Sequence, residues 1–113
     1  MAVISFSKKP ENSWVVAAWA FRQLLDDTLA QHSGDLEMAD IFEKAKYIPG
    51  LVLYSLEPRF AKRVREAIRQ TIVSILSGEI QSGIINQRHG DKETIEQYHQ
   101  GLRELLKAIP PDD

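Results

Sequence analysis

Glu96-Gln-Tyr-His99 is the stretch whose residue types and spacing come nearest to chemistry. A Glu-x-x-His on a helix sets both side chains on one side, as in di-iron carboxylate bundles, where two such motifs and two further glutamates converge on the core. This sequence holds no second copy. At 100° per residue, Glu96 falls about 130° and His99 about 70° from the centre of the apolar stripe of the same helix. The pair therefore reads as an exposed glutamate and a boundary histidine. His32 falls near the C-terminal end of the first long helix, where an imidazole caps carbonyls, and His89 sits between Arg88 and Gly90. Their spacing gathers no metal site. The lack of cysteine removes thiolate metal sites, disulfides and a cysteine nucleophile. Nucleophile elbows, glycine-rich phosphate loops and His-Glu-x-x-His are absent, and the neighbours Asp26 and Asp27 point in different directions on a helix. The expectation is a protein that is not an enzyme and carries no metal or cofactor.

Two surfaces stand out instead. Arg59, Lys62, Arg63, Arg65 and Arg69 fall within eleven residues, relieved by Glu66. On a helix they lie opposite Phe60, Val64 and Ile68, forming an exposed strip that suits phosphate or an acidic partner. It lacks aromatic residues for base stacking, so nucleic acid is not the favoured partner. The other surface is on the first helix, read as starting at an Asn12 or Ser13 cap. Its second half is amphipathic, with Arg22, Gln23, Asp26, Asp27 and Gln31 outward, yet its first half carries Val15, Val16 and Trp19 on that same side. A helix end apolar all round is buried on both sides. Either the N-terminal arm covers it through Val3, Ile4 and Phe6, or a second subunit does. A homodimer is expected, with an interface of Val15, Val16, Trp19, Arg22, Gln23 and Asp26 centred on the tryptophan.

The elements that carry these surfaces follow from breakers and periodicity. Trp14, Ala17, Ala18, Phe21, Leu24, Leu25, Thr28 and Leu29 recur at helical steps up to Gly34. Asp35 offers a cap to a second helix striped by Met38, Ile41, Phe42 and Ala45, with Asp40 and Lys44 paired outside. Pro58 opens a third helix, whose stripe runs from Phe60 through Val64, Ala67, Ile68, Thr71 and Ile72 to Ile75. Asp91 caps a fourth, striped by Ile95, Tyr98, Leu102, Leu105, Leu106 and Ile109. Leu51–Leu56 reads as a short buried helix. The stretch from Glu79 to His89, with Ile80, Ile84 and Ile85 around Ser82-Gly83, reads as a helical extension or a loop held down by its isoleucines, with a hairpin as the lesser choice. The predicted fold is all-α, a compact bundle of four main helices plus one or two short helical turns. Phe21, Leu25, Ile41, Phe42, Val64, Ile68, Ile75, Leu102, Leu105 and Leu106 form its expected core.

Composition sets the outer bounds. The 113 residues are 43% hydrophobic and 27% charged, with 14 Lys plus Arg against 16 Asp plus Glu and a net charge of −2. Such a chain forms one domain over 1–113, with residues 1–10 as an arm and 110–113 as a frayed tail. A net basic excess of the kind that phosphate-backbone binders carry is missing. The N-terminal residues do not read as a signal peptide, and the longest nearly apolar run, Trp14 to Phe21, is too short to span a bilayer. The expectation is a cytoplasmic protein with no membrane partner. Three roles fit: a small self-associating interaction or regulatory protein, a nucleic-acid-binding accessory protein using the basic strip, or an immunity-type or subunit partner of another protein.

Overall fold

The computed structural model describes residues 2–47, 50–83 and 92–109. Four helices dominate: α1 (Ala18–Gln31), α2 (Leu36–Tyr47), α3 (Pro58–Ser77) and α4 (Lys92–Ala108). Three short strands, β1 (Ala2–Ser5), β2 (Ser13–Val16) and β3 (Gly50–Val52), form a mixed sheet in the order β2-β1-β3. The all-α helical bundle is thus overturned, and the fold is mixed α/β. Among the described residues, two 3-10 turns, Pro10–Asn12 and Leu53–Ser55, link these elements.

Each strand corrects a specific expectation. The arm is the central strand: Ala2 and Ile4 point inward and are buried, while Val3 and Ser5 alternate outward, the period of two that a half-buried strand requires. The first helix does not start at Ser13. Ser13-Trp-Val-Val, rich in aromatic and β-branched side chains, pairs antiparallel with β1, and α1 begins only at Ala18. Cross-strand partners Ile4 and Trp14 are both buried, whereas Val3 and Val15 share the outer face. The segment read as a short buried helix splits in two. Gly50–Val52 pairs parallel with β1, placing Leu51 beside Ile4, and Leu53–Ser55 supplies the helical turn.

The helices follow the sequence more closely. Asp35 caps α2 by accepting the Met38 N–H at 3.1 Å, and Lys44 pairs with Asp40 at 3.0 Å. Glu57 caps α3 by accepting from the N–H groups of Arg59 and Phe60 at 3.1 and 3.0 Å, with Pro58 in the first turn. Gly78, at φ 82°, ends α3 in the left-handed conformation that glycine tolerates best. The expected cap Asp91, together with Ile84, Ile85 and His89, lies outside the described residues. The helices cover one face of the sheet, α4 against β2 and α2 against β3, with α3 packed on α1 and α4. In the shared core, Phe21, Leu25, Phe42, Val64, Ile68, Ile75, Leu102 and Leu105 are buried, and Ile41 and Leu106 pack half-buried against them. Among the described residues no helix is long and apolar enough to cross a membrane.

Candidate interaction site

Asp27 holds the site together. It lies on the flank of the α1 stripe, three residues after Leu24, and is only 6% exposed. Its carboxylate accepts hydrogen bonds from the Gln23 amide at 2.8 Å, the Gly83 N–H at 2.9 Å, the Tyr98 hydroxyl at 2.8 Å and the Ser82 hydroxyl. A buried carboxylate is tolerable when its lone pairs are filled in this way. Gly83 fits this close approach, since a Cβ there would lie 3.2 Å from the Gln23 amide nitrogen and 3.3 Å from the Asp27 oxygen, and these side chains would have to give way by a few tenths of an ångström. One residue of α1 thereby fixes both the 82–83 segment and α4. Tyr98 and Ser82 are as buried as Asp27, so the cluster is a clasp shielded from solvent.

Burial, joined by the Asp27 charge and its grip on the hydroxyl proton, pushes the Tyr98 phenol far above its ordinary value of 10.0. The folded state then holds this proton more tightly than the unfolded chain does. The stability so linked is fully present below pH 10.0 and declines as pH rises above it. Tyr98 phenolate should therefore form only as the chain unfolds. Ultraviolet difference titration of the wild type and Tyr98→Phe, run beside far-ultraviolet circular dichroism, checks this. A Tyr98 phenolate in a still-folded chain would contradict the clasp.

Anchored by its hydroxyl, Tyr98 presents its ring to Trp19, with centroids 6.3 Å apart and planes tilted by 43°. Trp19 stays 38% exposed. It forms one wall of a groove of about 810 Å³ between the β2–α1 corner and α4. The floor is apolar and small: Val16, Ala17 and Ala20, with Gly101 opposite. The facing ridge of α4 carries Glu93, Gln97, Gln100 and Glu104, flanked by Glu96 and Arg103. At Gly101, α4 lies so near β2 that a Cβ would touch the Trp14 ring and Val16.

The structure divides the expected interface. Val15 is on the outer face of the sheet, 58% exposed at the edge strand. Val16 and Trp19 face the groove, so the arm does not cover the tryptophan: Ile4 and Phe6 are core residues, and Val3 lies beside Val15. Arg22 is exposed. Gln23 is buried against Asp27, and Asp26 pairs with Lys46 of α2. The helical phase that put these six residues on one side ends where β2 replaces the helix.

The residues of the basic strip lie on α3, but Arg65 and Arg69 are only half-exposed and much of the charge is engaged. Arg63 donates to Asp35 at 2.9 Å, sits 3.5 Å from Glu37 and stacks over the Phe60 ring at 4.8 Å. Partial burial raises the Asp35 carboxyl, but the Met38 N–H and the Arg63 guanidinium outweigh it and hold the group below its ordinary 3.8. Arg69 and Arg65 lie 2.8 and 4.0 Å from Glu66. Arg59 and Lys62 are exposed. Glu96 and His99 diverge: Glu96 lines the groove, whereas His99 lines a separate cavity with Ile75, Ile80, Ser82 and Ile95. Among the described residues no histidine and carboxylate group is arranged to hold a metal ion.

The Asp27 clasp escaped the sequence reading because Ser82 and Tyr98 lie 55 and 71 residues from Asp27. The available signal was a carboxylate four residues after Gln23 on the flank of an apolar stripe. No family model matches the chain, and no curated protein or solved structure matches it either.

Proposed function

We propose that this protein works by binding protein surfaces rather than by catalysis, and that it forms a homodimer through β2. The observation that carries this reading is the unguarded edge of the sheet. Edge strands ordinarily hold a lysine, a proline or a bulge that prevents pairing with another chain. Ser13-Trp-Val-Val has none of these, and Val15 stands out from it into solvent. An antiparallel strand is complementary to its own copy about a two-fold axis, so pairing would extend the three-stranded sheet to six and cover Val15 with the partner's Val15. The centre of the expected contact thereby moves from Trp19 to the strand before it. A cytoplasmic setting belongs to the same reading, on the absence of cysteine.

Val15→Lys tests it. The side chain is mostly exposed, so the fold should change in stability by less than about 0.5 kcal/mol. Its charge would nevertheless face a like charge across the two-fold. Sedimentation equilibrium should give a dimer for the wild type and a monomer for Val15→Lys. A wild type that is monomeric at high micromolar concentration would overturn the reading, as would a variant that stays dimeric.

A further inference from the structure

We infer that the groove between α4 and the β2–α1 corner binds a basic amphipathic helix of a second protein. The inference goes beyond self-association, since Val15 lies outside the groove lining.

Glu93, Glu96 and Glu104 stand on the groove's rim against the single cation Arg103, which donates to Gln100 at 3.4 Å. The three carboxylates are exposed, and among the described residues none of them forms an ion pair. Along α1, α2 and α3 carboxylates are paired instead: Asp26 with Lys46, Asp35 with Arg63, Asp40 with Lys44 and Glu66 with Arg69. A rim of unneutralised carboxylates beside a half-exposed tryptophan complements lysine or arginine flanking an apolar stripe.

Glu93, Gln97, Gln100 and Glu104 follow one another at steps of four, three and four residues, a straight ridge about 17 Å long at the helical rise. The floor of alanine and glycine lets another backbone come close, and Trp19 gives one large anchoring surface. A helix laid beside α4 would set its ridge into this groove and present apolar residues at i, i+3/i+4 and i+7 to Trp19, Val16 and Ala20. Cations on the flank of the stripe that faces α4 would then reach the rim. A helix satisfies its own backbone groups, which suits a groove lined mostly by side chains of α1 and α4.

The probe is a fluorescein-labelled synthetic helix of about four turns, leucine along one stripe and lysine elsewhere. Two controls accompany it, one with glutamate replacing lysine and one with serine replacing leucine. Fluorescence anisotropy against the full chain should show the Leu/Lys helix binding at least about tenfold more tightly than either control, and weakening as salt is raised. Trp19→Ala should weaken it by about tenfold or more, and so should the joint change Glu93→Gln, Glu96→Gln and Glu104→Gln. The glutamines replace exposed side chains and should leave the fold intact, which circular dichroism checks, so this arm stands even if Trp19→Ala unfolds. Val15→Lys should bind the helix as the wild type does, which separates the groove from the dimer. Equal binding of all three peptides, no binding of the Leu/Lys helix, or indifference to the glutamine substitutions would each overturn the inference.

Discussion

Asp27→Ala should destabilise the protein by about 3–5 kcal/mol, although it removes only a small polar side chain. The change leaves the Gln23 amide, the Ser82 and Tyr98 hydroxyls and the Gly83 N–H without their acceptor. A buried donor stripped of its partner costs about 1–3 kcal/mol, and relaxation of the 82–83 segment toward water keeps the total below the sum. Asp27→Asn should fall between, since its amide keeps one acceptor oxygen but turns an NH₂ toward groups that also donate. Urea unfolding of both variants measures the difference. A cost under about 1 kcal/mol for Asp27→Ala would mean that water fills the clasp without penalty. The loss should also be felt at Trp19, whose neighbour Tyr98 is held by this carboxylate.

Ile4→Ala should cost about 2–5 kcal/mol, because the side chain is fully buried at the centre of the sheet. Val3→Thr, one residue earlier on the outer face, should cost less than about 1 kcal/mol, since it keeps the β-branch and meets solvent. Thermal or urea unfolding of the pair is a direct test of β1. Equal costs would mean that the first residues are an arm lying on the surface, as their sequence alone suggests. A large cost at Ile4 alone is the signature of a strand.

That contrast shows where the sequence was readable. The helix α3 was plain because several independent signals agree on it: Pro58 at its start, six buried positions at helical spacing and Gly78 at its end. The strands are three or four residues long, so each offers one or two inward positions, too few to display a period. Trp14 even continued the helical spacing of α1 by accident, while Val15 and Val16 fell on its polar side. The puzzle of a helix apolar all round was the trace of this error: an alternating strand wrapped at 100° per residue scatters its apolar residues over every side. The candidate site was legible in part. Trp19 and Val16 were singled out from residue type, but their neighbours on α4 are more than seventy residues away, and only the fold makes Glu93, Glu96 and Glu104 the other bank of the groove.

The order β2-β1-β3 also sets a sequence of events in time. Ser5 meets Ser13 after a short connection, whereas it meets Val52 only across two helices. Closing the longer loop in a flexible chain costs about 1.5–2 kcal/mol more than closing the shorter one. The β1–β2 hairpin can therefore assemble from local encounters, while the parallel partner must wait until α1 and α2 have condensed and shortened the path. The parallel pairing should therefore be the slower step of sheet assembly, and by the same asymmetry the first to open. Native-state hydrogen exchange checks this order: amides of Gly50–Val52 should exchange faster than those of Ser13–Val16.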